Sequence, residues 1–538
     1  MRALSEGFSG EEFDLLVVGG GVTGACIARD AVLRGLSTAL VERADFGAGT
    51  SANSLKILHG GLRDLRRLAV GAVRSGAREQ AGWARMAPHL VDPLPFLLPT
   101  YRGPSQGRLA LRVALSAAAA LSPVRARDRP FPGWRMLTRD QARAHVADLP
   151  GDGLTGAALW HEGQMYSGAR LVLALVQAAV AAGARAANHA QLEELLRSPD
   201  GSIRGARLRD TLDGGTWEIG ARRVVVATGA TARSLSGRLR GAPARRVRHS
   251  LALNVVLPDL GYRVAFALRS RWNGAARQLL FVPWRGRTIL GTGHYPFDGA
   301  PEAFDPASQD PTPLLAEANA AWDGPRVRAE DVLLTHAGLL PAAAGDPGRV
   351  RLLRRPLVRD HAADGAAGLV SVVSVRFSYA RKLAESVVDA LCRELRGADL
   401  RPADSYLPLP GGEPAEPGRA DAVEAAAGVA LAPDVRDHLL RCYGSGAAAV
   451  VTAMREVRDW DRRVVAGAPV IFGQLVHAAR HEMGRTVDDL LYRRTELGPR
   501  ALVDDRAEEL AAAALALARG DHGVIAQVMG RVGDDDGS

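Results

Sequence analysis

The chain has 538 residues, 47% of them hydrophobic and 24% charged. That length is too great for one ordinary core and predicts two or three domains, and the composition excludes wholesale disorder. The net charge of +9 favours an acidic partner, either anionic lipid or a phosphorylated substrate, while the scattered arginines and the lack of any aromatic-interleaved basic run argue against nucleic acid.

The N-terminus, MRALSEGFSGEEF, is polar and acidic and lacks the apolar core of a signal peptide. Phe13–Val18 (FDLLVV) reads as a short buried parallel strand. Gly19–Gly24 (GGGVTG) is a glycine turn, Ala25–Arg34 a helix closed by Gly35, and Ser37–Val41 a second strand with Glu42 at its end. Residues 66–100 read as helical. Within the Pro- and Arg-rich stretch 101–150, Leu109–Leu121 is the longest apolar run; it is too short to span a bilayer and carries an arginine, so a buried helix and a membrane-surface helix are the two readings.

Further on, Leu171–Gly183 is a helix, and Arg204–Arg209 and Thr216–Ile219 form a hairpin about an Asp-Gly-Gly turn. Arg223–Gly229 (RVVVATG) is another buried strand ending in a glycine turn. Leu251–Val256, Gln278–Val282 and Arg287–Leu290 alternate as an antiparallel sheet does. Leu369–Val375 is a strand and Ala380–Arg396 a helix. A Pro- and Gly-rich linker covers 401–419 within Ala398–Arg419, and a separate helical domain follows from 420 to a polar tail. Cys26, Cys392 and Cys442 are too far apart for a CxxC pair, and so sparse a set suits a reducing cytoplasm.

The first of these segments carries chemistry. Gly19, Gly21 and Gly24 make a GxGxxG turn between a strand and a helix, with an acid 18 residues past the last glycine. Gly19 permits the tight turn, Gly21 lets backbone approach a pyrophosphate, and Gly24 lets helix and strand pack closely. The helix N-terminus presents free N–H groups to the phosphates. Glu42 accepts ribose hydroxyls and repels a 2′-phosphate, which disfavours NADP. A dinucleotide unit at the start of a long chain, paired with the second glycine turn at Thr228 and Gly229, favours FAD over NAD.

Thr50–Leu65 (TSANSLKILHGGLRDL) resembles the segment after the flavin fingerprint in the respiratory, FAD-dependent glycerol-3-phosphate dehydrogenases (TSSxSSKLIHGGLRYL). The resemblance continues at Phe281–Thr292 (FVPWRGRTILGT), Leu357–His361 (LVRDH), Val375–Glu385 (VRFSYARKLAE) and Val476–Leu497, so that it covers roughly 13–500. It implies an α/β plus α architecture: a glutathione-reductase-type, Rossmann-like FAD domain (about 13–100, 150–235 and 345–400), an antiparallel-sheet substrate domain (about 101–149 and 236–344) and a C-terminal helical domain (420–538). It also implies an FAD site formed with Arg43, Thr50, Ser51, Lys56, Gly60, Gly61 and Leu62. The implied reaction is oxidation of a hydroxyl on a small phosphorylated polyol or sugar, with electrons passed to a quinone or another acceptor. His59 stands at the family's active-site histidine, and Arg63 and Arg359 stand at its active-site arginines. Arg376 stands where the family usually carries lysine. A homodimer and attachment to the inner membrane face are also compatible with the family.

Departures cluster around the substrate. The arginine of the family's SGVRPL motif is Leu340, the tyrosine after HGGLR is Asp64, and the aspartate of GTTD is His294, a second candidate proton acceptor. Gly168 stands where the family usually has aspartate. The pattern implies a changed substrate. An FAD-dependent amine or amino-acid oxidase and a flavin-binding protein without turnover are the alternatives. His481-Glu482 lacks a second histidine four residues after His481, since Arg485 stands there, so no metal site is expected.

Overall fold

The computed structural model describes residues 8, 11–61, 69–103, 107–124, 128–239, 248–272, 275–343, 350–398, 400, 404, 406–414 and 417–521. Its first sheet is built on Glu12–Val18, buried at every position after Glu12. Thr216–Val226 and Thr38–Val41 flank it in parallel, with Val18 opposite both Val226 and Val41. Leu369–Val373 and Arg185–Ala187 extend the sheet on either side, and Leu357–Asp360 closes one edge antiparallel.

The strand period of two divides its side chains between two cores. Leu15 and Val17 face the helices Val22–Leu33, Gly168–Ala181 and Ala380–Arg396. Leu16 and Val18 face a meander of Ala190–Arg197 and Ile203–Asp210 running into Thr216–Val226. Burial on both faces explains the unbroken apolar runs that mark these strands in the sequence. Gly35 ends the first helix at φ +79, a conformation that costs a side-chain-bearing residue energy.

Of the expected helix over 66–100, the described residues from 69 onward are helical from Val70 to Met86. Val91–Tyr101 is a strand, because Pro93, Pro95 and Pro99 remove three N–H groups and exclude a helix. It pairs antiparallel with Leu154–Met165, a strand that the sequence reading missed. Both belong to the second sheet, although their residues were expected largely in the FAD-binding part. That sheet continues through Ala265–Trp272, Ala275–Trp284, Arg287–Phe297, His249–Pro258 and Leu334–Ala343. The three expected antiparallel strands lie inside three of these longer ones.

The helix Arg108–Leu121 lies on the surface and buries only Leu115. Five helices from Arg419–Ala427 to Asp505–Ala518 form the C-terminal unit around a core of their own. The described middle of the expected linker is held firmly. Leu409 is fully buried in the first core, and its N–H donates to Met86 O at 2.8 Å. Among the described residues no helix is long and apolar enough to cross a membrane.

Candidate flavin and substrate site

The glycine turn sits at the carboxyl ends of the parallel strands, where open α/β sheets bind ligands. Gly19 has φ +112, and a Cβ there would lie 2.8 Å from the carbonyl of Ala227. A Cβ on Gly24 would fall 1.8 Å from Gly19 O, so helix and strand touch through hydrogen. Gly21 is the N-cap of Val22–Leu33, and Ser51 Oγ accepts from Val22 N at 3.1 Å. Glu42 folds back under the turn: its carboxylate accepts from Gly20 N at 2.7 Å and from Ala44 N at 2.9 Å. Burial pushes the Glu42 carboxyl up, against the two backbone donors that hold the charged form.

From this turn a continuous cavity of about 2240 Å³ opens toward the second sheet. Gly19, Gly21, Glu42, Arg43, Thr50, Ser51, Thr228 and Gly229 line its dinucleotide side. His59 and Gly61 reach it from beyond the short strand Ile57–Leu58, and Arg376 from the loop after Leu369–Val373. The second sheet contributes Asn254, Thr292, His294 and Leu340. Bare backbone at a helix N-terminus, an acid at the end of the second strand and a long cavity of mixed polar and apolar lining together fit FAD.

The family described as "FAD dependent oxidoreductase" matches residues 14–373. The chain belongs to that FAD-dependent oxidoreductase family. The "C-terminal domain of alpha-glycerophosphate oxidase" matches residues 404–524. A glycerol-3-phosphate dehydrogenase of Synechocystis is 28% identical over 90% of this chain and 89% of its own length. The human mitochondrial glycerol-3-phosphate dehydrogenase is 30% identical over 90% of this chain and 67% of its own. The X-ray structure of the Bacillus halodurans glycerol-3-phosphate dehydrogenase complexed with FAD superposes with a TM-score of 0.72, at 25% identity, covering 96% of this chain and 97% of that one. The protein is thus an FAD-dependent oxidoreductase that resembles glycerol-3-phosphate dehydrogenases, and its fold is the expected one: a Rossmann-like sheet, a further sheet and a helical C-terminal domain.

Within this flavoenzyme frame the expected site residues divide. Gly19, Gly21, Glu42, Arg43, Thr50, Ser51, His59, Gly61, Thr228, Gly229, His294 and Arg376 all line the one cavity. Gly24 acts one layer behind it, through packing. Gly60 also lies behind the wall, where its N–H donates to Glu162 Oε2 at 2.7 Å. Leu62 and Arg63 lie outside the described residues.

Two assignments are corrected. Lys56 is fully buried and turned away from the cavity: its Nζ donates to Ala52 O at 2.5 Å and sits 4.8 Å from the centre of the Trp284 ring. Burial pushes its ammonium down, with Glu496 opposing. Arg359 also stands outside the cavity. It belongs to the exposed edge strand Leu357–Asp360 and grips Asp364 at 2.8 Å across the following turn. The anion-binding trio expected from the resemblance therefore leaves Arg376 as its described member in the cavity wall.

Glu162, Asn254 and Thr292 escaped the sequence reading. Thr292 Oγ1 donates to Asn254 Oδ1 at 2.8 Å, and Asn254 Nδ2 donates to His336 O at 3.2 Å, which fixes an amide in the cavity wall. Glu162 lies beneath His59 on the missed strand Leu154–Met165. Trp160 and Glu162, two apart on one face, were the available sign of a paired polar strand. His481 ends the helix Phe472–His481, and the next residue, Glu482, is a buried partner of Arg170 at 2.8 Å.

Proposed function

We propose that this flavoenzyme oxidises a secondary hydroxyl of a small phosphorylated polyol or sugar and hands the electrons to a quinone or another acceptor. The observation that carries this reading is the convergence of His59, His294 and Arg376 on the cavity that opens from the dinucleotide turn. Bound FAD supplies the hydride acceptor. The chain must then hold the carbinol carbon in place, take the hydroxyl proton and neutralise the phosphate.

His59 is the proposed proton acceptor. It faces the cavity with a side chain 28% exposed, so a substrate hydroxyl can reach it. An imidazole in its neutral form takes that proton as the hydride leaves the adjacent carbon, and the carbinol becomes a carbonyl. His294 lies across the cavity, with Ser250 Oγ 3.2 Å from its Nδ1, and is the second candidate. Arg376 offers a planar fork to a phosphate where the resembling family offers a point charge.

Leu340 supports a substrate other than glycerol-3-phosphate itself. It lines the cavity where the resembling enzymes carry an arginine, so a charge that would polarise the reacting oxygen is missing there. In the proposed division of labour the first sheet holds the flavin, the second sheet shapes the substrate end, and the C-terminal helices brace both. Peripheral attachment to an anionic membrane through Arg108–Leu121, and a homodimer, complete the proposal.

Anaerobic bleaching of the bound flavin tests it. Reduction by glycerol-3-phosphate or a related polyol phosphate supports the reading. Reduction by amines alone would move the protein to the amine oxidases, and reduction by dithionite alone would make it a flavin-binding protein without turnover.

A further inference from the structure

Behind His59 lies a carboxylate to which the activity proposed above gives no role. The Glu162 side chain is 5% exposed, on the strand Leu154–Met165, which pairs antiparallel with Ile57–Leu58 through Leu58 and Gly163. Three donors hold it. Gly60 N reaches Oε2 at 2.7 Å, Gln80 Nε2 reaches the same oxygen at 2.8 Å, and Trp160 Nε1 reaches Oε1 at 3.0 Å. Gln80 also donates to Leu58 O at 3.0 Å, so the amide ties strand, loop and carboxylate together. Oε1 is left pointing at His59 Nδ1, 3.9 Å away.

The described side chains that donate to this carboxylate are uncharged. Helix Val70–Met86 presents Gln80, and its Glu79 is turned to Arg381 at a distance of 2.5 Å. Strand Val91–Tyr101 presents Leu94 opposite Glu162. Among the described residues His59 is the titratable side chain paired with Glu162. A buried carboxylate already held by three neutral donors needs no ion pair for its own satisfaction. The ring nitrogen nearest to it is His59 Nδ1, 3.9 Å from Oε1.

We infer that Glu162 is the positioning residue for His59: its carboxylate orients the ring with Nδ1–H toward Oε1 and leaves Nε2 for the substrate hydroxyl. A carboxylate in this place also favours the imidazolium that forms once the hydroxyl proton has moved to Nε2. The proton stays on the histidine and Glu162 remains ionised, as in other carboxylate–histidine pairs. The separation of 3.9 Å is longer than a hydrogen bond, and such pairs tighten when substrate fills the site. The assignment rests on the proposal that His59 is the proton acceptor.

The test is the limiting rate of anaerobic flavin reduction by polyol phosphate, read against substrate affinity, in the full-length holoenzyme. It compares wild type, Glu162→Gln, Glu162→Asp and His59→Asn. Glu162→Gln removes the charge and keeps one oxygen, which at the Oε2 position still accepts from Gly60 and Gln80, while its amide nitrogen replaces the acceptor of Trp160. The expected result is a limiting rate about 10- to 100-fold lower, with substrate affinity and flavin content unchanged. The loss is expected in the limiting rate and not in substrate affinity, as for a group that acts through the base rather than on the substrate. Glu162→Asp, which keeps the charge, should restore the rate in part.

A slower reaction that Glu162→Asp does not restore, or that comes with lost flavin or weakened substrate affinity, would mean that Glu162 only supports the loop, and the assignment fails. A limiting rate unchanged in His59→Asn would show that His59 is not the base, and would overturn the proposed mechanism along with the assignment. A wild-type flavin that no polyol phosphate reduces overturns the proposed function and the assignment with it.

Discussion

Asp45 and Arg494 form a fully buried, two-pronged ion pair between the flavin-binding loop and the C-terminal helices. Arg494 Nη2 lies 2.9 Å from Asp45 Oδ1, Nη1 bonds Oδ2, and both side chains are at most 3% exposed. Asn188 donates to Asp45 Oδ1 at 2.8 Å and to Met483 O at 2.8 Å, so a third strand end joins the clamp. The C-terminal unit thus anchors the segment that begins at Glu42 and runs along the cavity through Thr50 and Ser51. Removing one partner leaves a buried charge unpaired, which costs about 3–5 kcal/mol. Arg494→Met is expected to lower the thermal midpoint and to reduce flavin retention, with Asp45→Asn close behind. Both are read by unfolding followed through flavin release.

A second pair makes this junction sensitive to acid. Burial alone would raise the Glu482 carboxyl, but the Arg170 guanidinium overrides it and holds the group below its ordinary value of 4.5. A carboxylate lowered in the folded state contributes stability that is complete above its unfolded value and is lost as pH falls through the folded one. Stability is therefore expected to hold from neutrality down to about pH 5 and to fall below it. Chemical denaturation at successive pH values checks this: the fall should be steeper in wild type than in Glu482→Gln, which has nothing there to titrate.

Gly24 links a sequence signal to flavin affinity. A methyl at that position would stand 1.8 Å from Gly19 O, an atom of fixed backbone, so the helix must move off the strand. The N–H groups aimed at the pyrophosphate would move with it. Gly24→Ala is expected to yield folded protein with most of its flavin lost, as measured by the ratio of flavin to protein absorbance. Gly35→Ala, at a positive φ with open space around it, should cost stability and leave flavin content intact.

What could be read from the sequence was local. The turn Gly19–Gly24, Glu42 and the strand ending before Thr228 each depend on a few consecutive residues, and the structure places them along one wall. The roles of Glu162 and Asn254 arise from strand pairing across long sequence distances: Glu162 Oε2 meets Gly60 N across 102 residues. No window of sequence holds both. Motif matching located Arg359 and Lys56 but not their directions. Arg359 falls on an exposed edge strand, and Lys56, at φ +59, points inward beneath Trp284. The strand Val91–Tyr101 was hidden because its three prolines break the alternation that marks a strand.

Leu340 offers a gain-of-function test. It lies on Leu334–Ala343, paired with Ser250 of His249–Pro258, and its side chain meets the cavity. Leu340→Arg puts a guanidinium where developing charge on a substrate oxygen would be stabilised. Such donors in active sites are worth about 10²–10³ in rate. Flavin reduction by glycerol-3-phosphate is expected to rise at least about tenfold in Leu340→Arg, while reduction by the wild-type enzyme's own substrate falls. Equal rates with glycerol-3-phosphate in the two proteins would show that position 340 does not set specificity.

The helix Arg108–Leu121 carries the proposed membrane contact. Leu109 is 74% exposed and Val113 60% exposed, one helical turn apart on the same outward stripe, and Arg112 is exposed beside them. Within the protein the helix buries only Leu115, so the outward stripe adds little to the core. Inserting a leucine and a valine into a lipid interface gains about 1.5–3 kcal/mol each, and a nearby arginine adds attraction to anionic headgroups. Such a contact is reversible and should weaken with salt. Cosedimentation with anionic vesicles is expected for wild type at low salt. It should drop at least about tenfold for the double variant Leu109→Ser, Val113→Ser, with flavin content and thermal midpoint unchanged, because neither side chain supports the fold. Binding that survives the double variant would move the membrane contact elsewhere on the surface, and wild-type protein that stays in the supernatant would remove it.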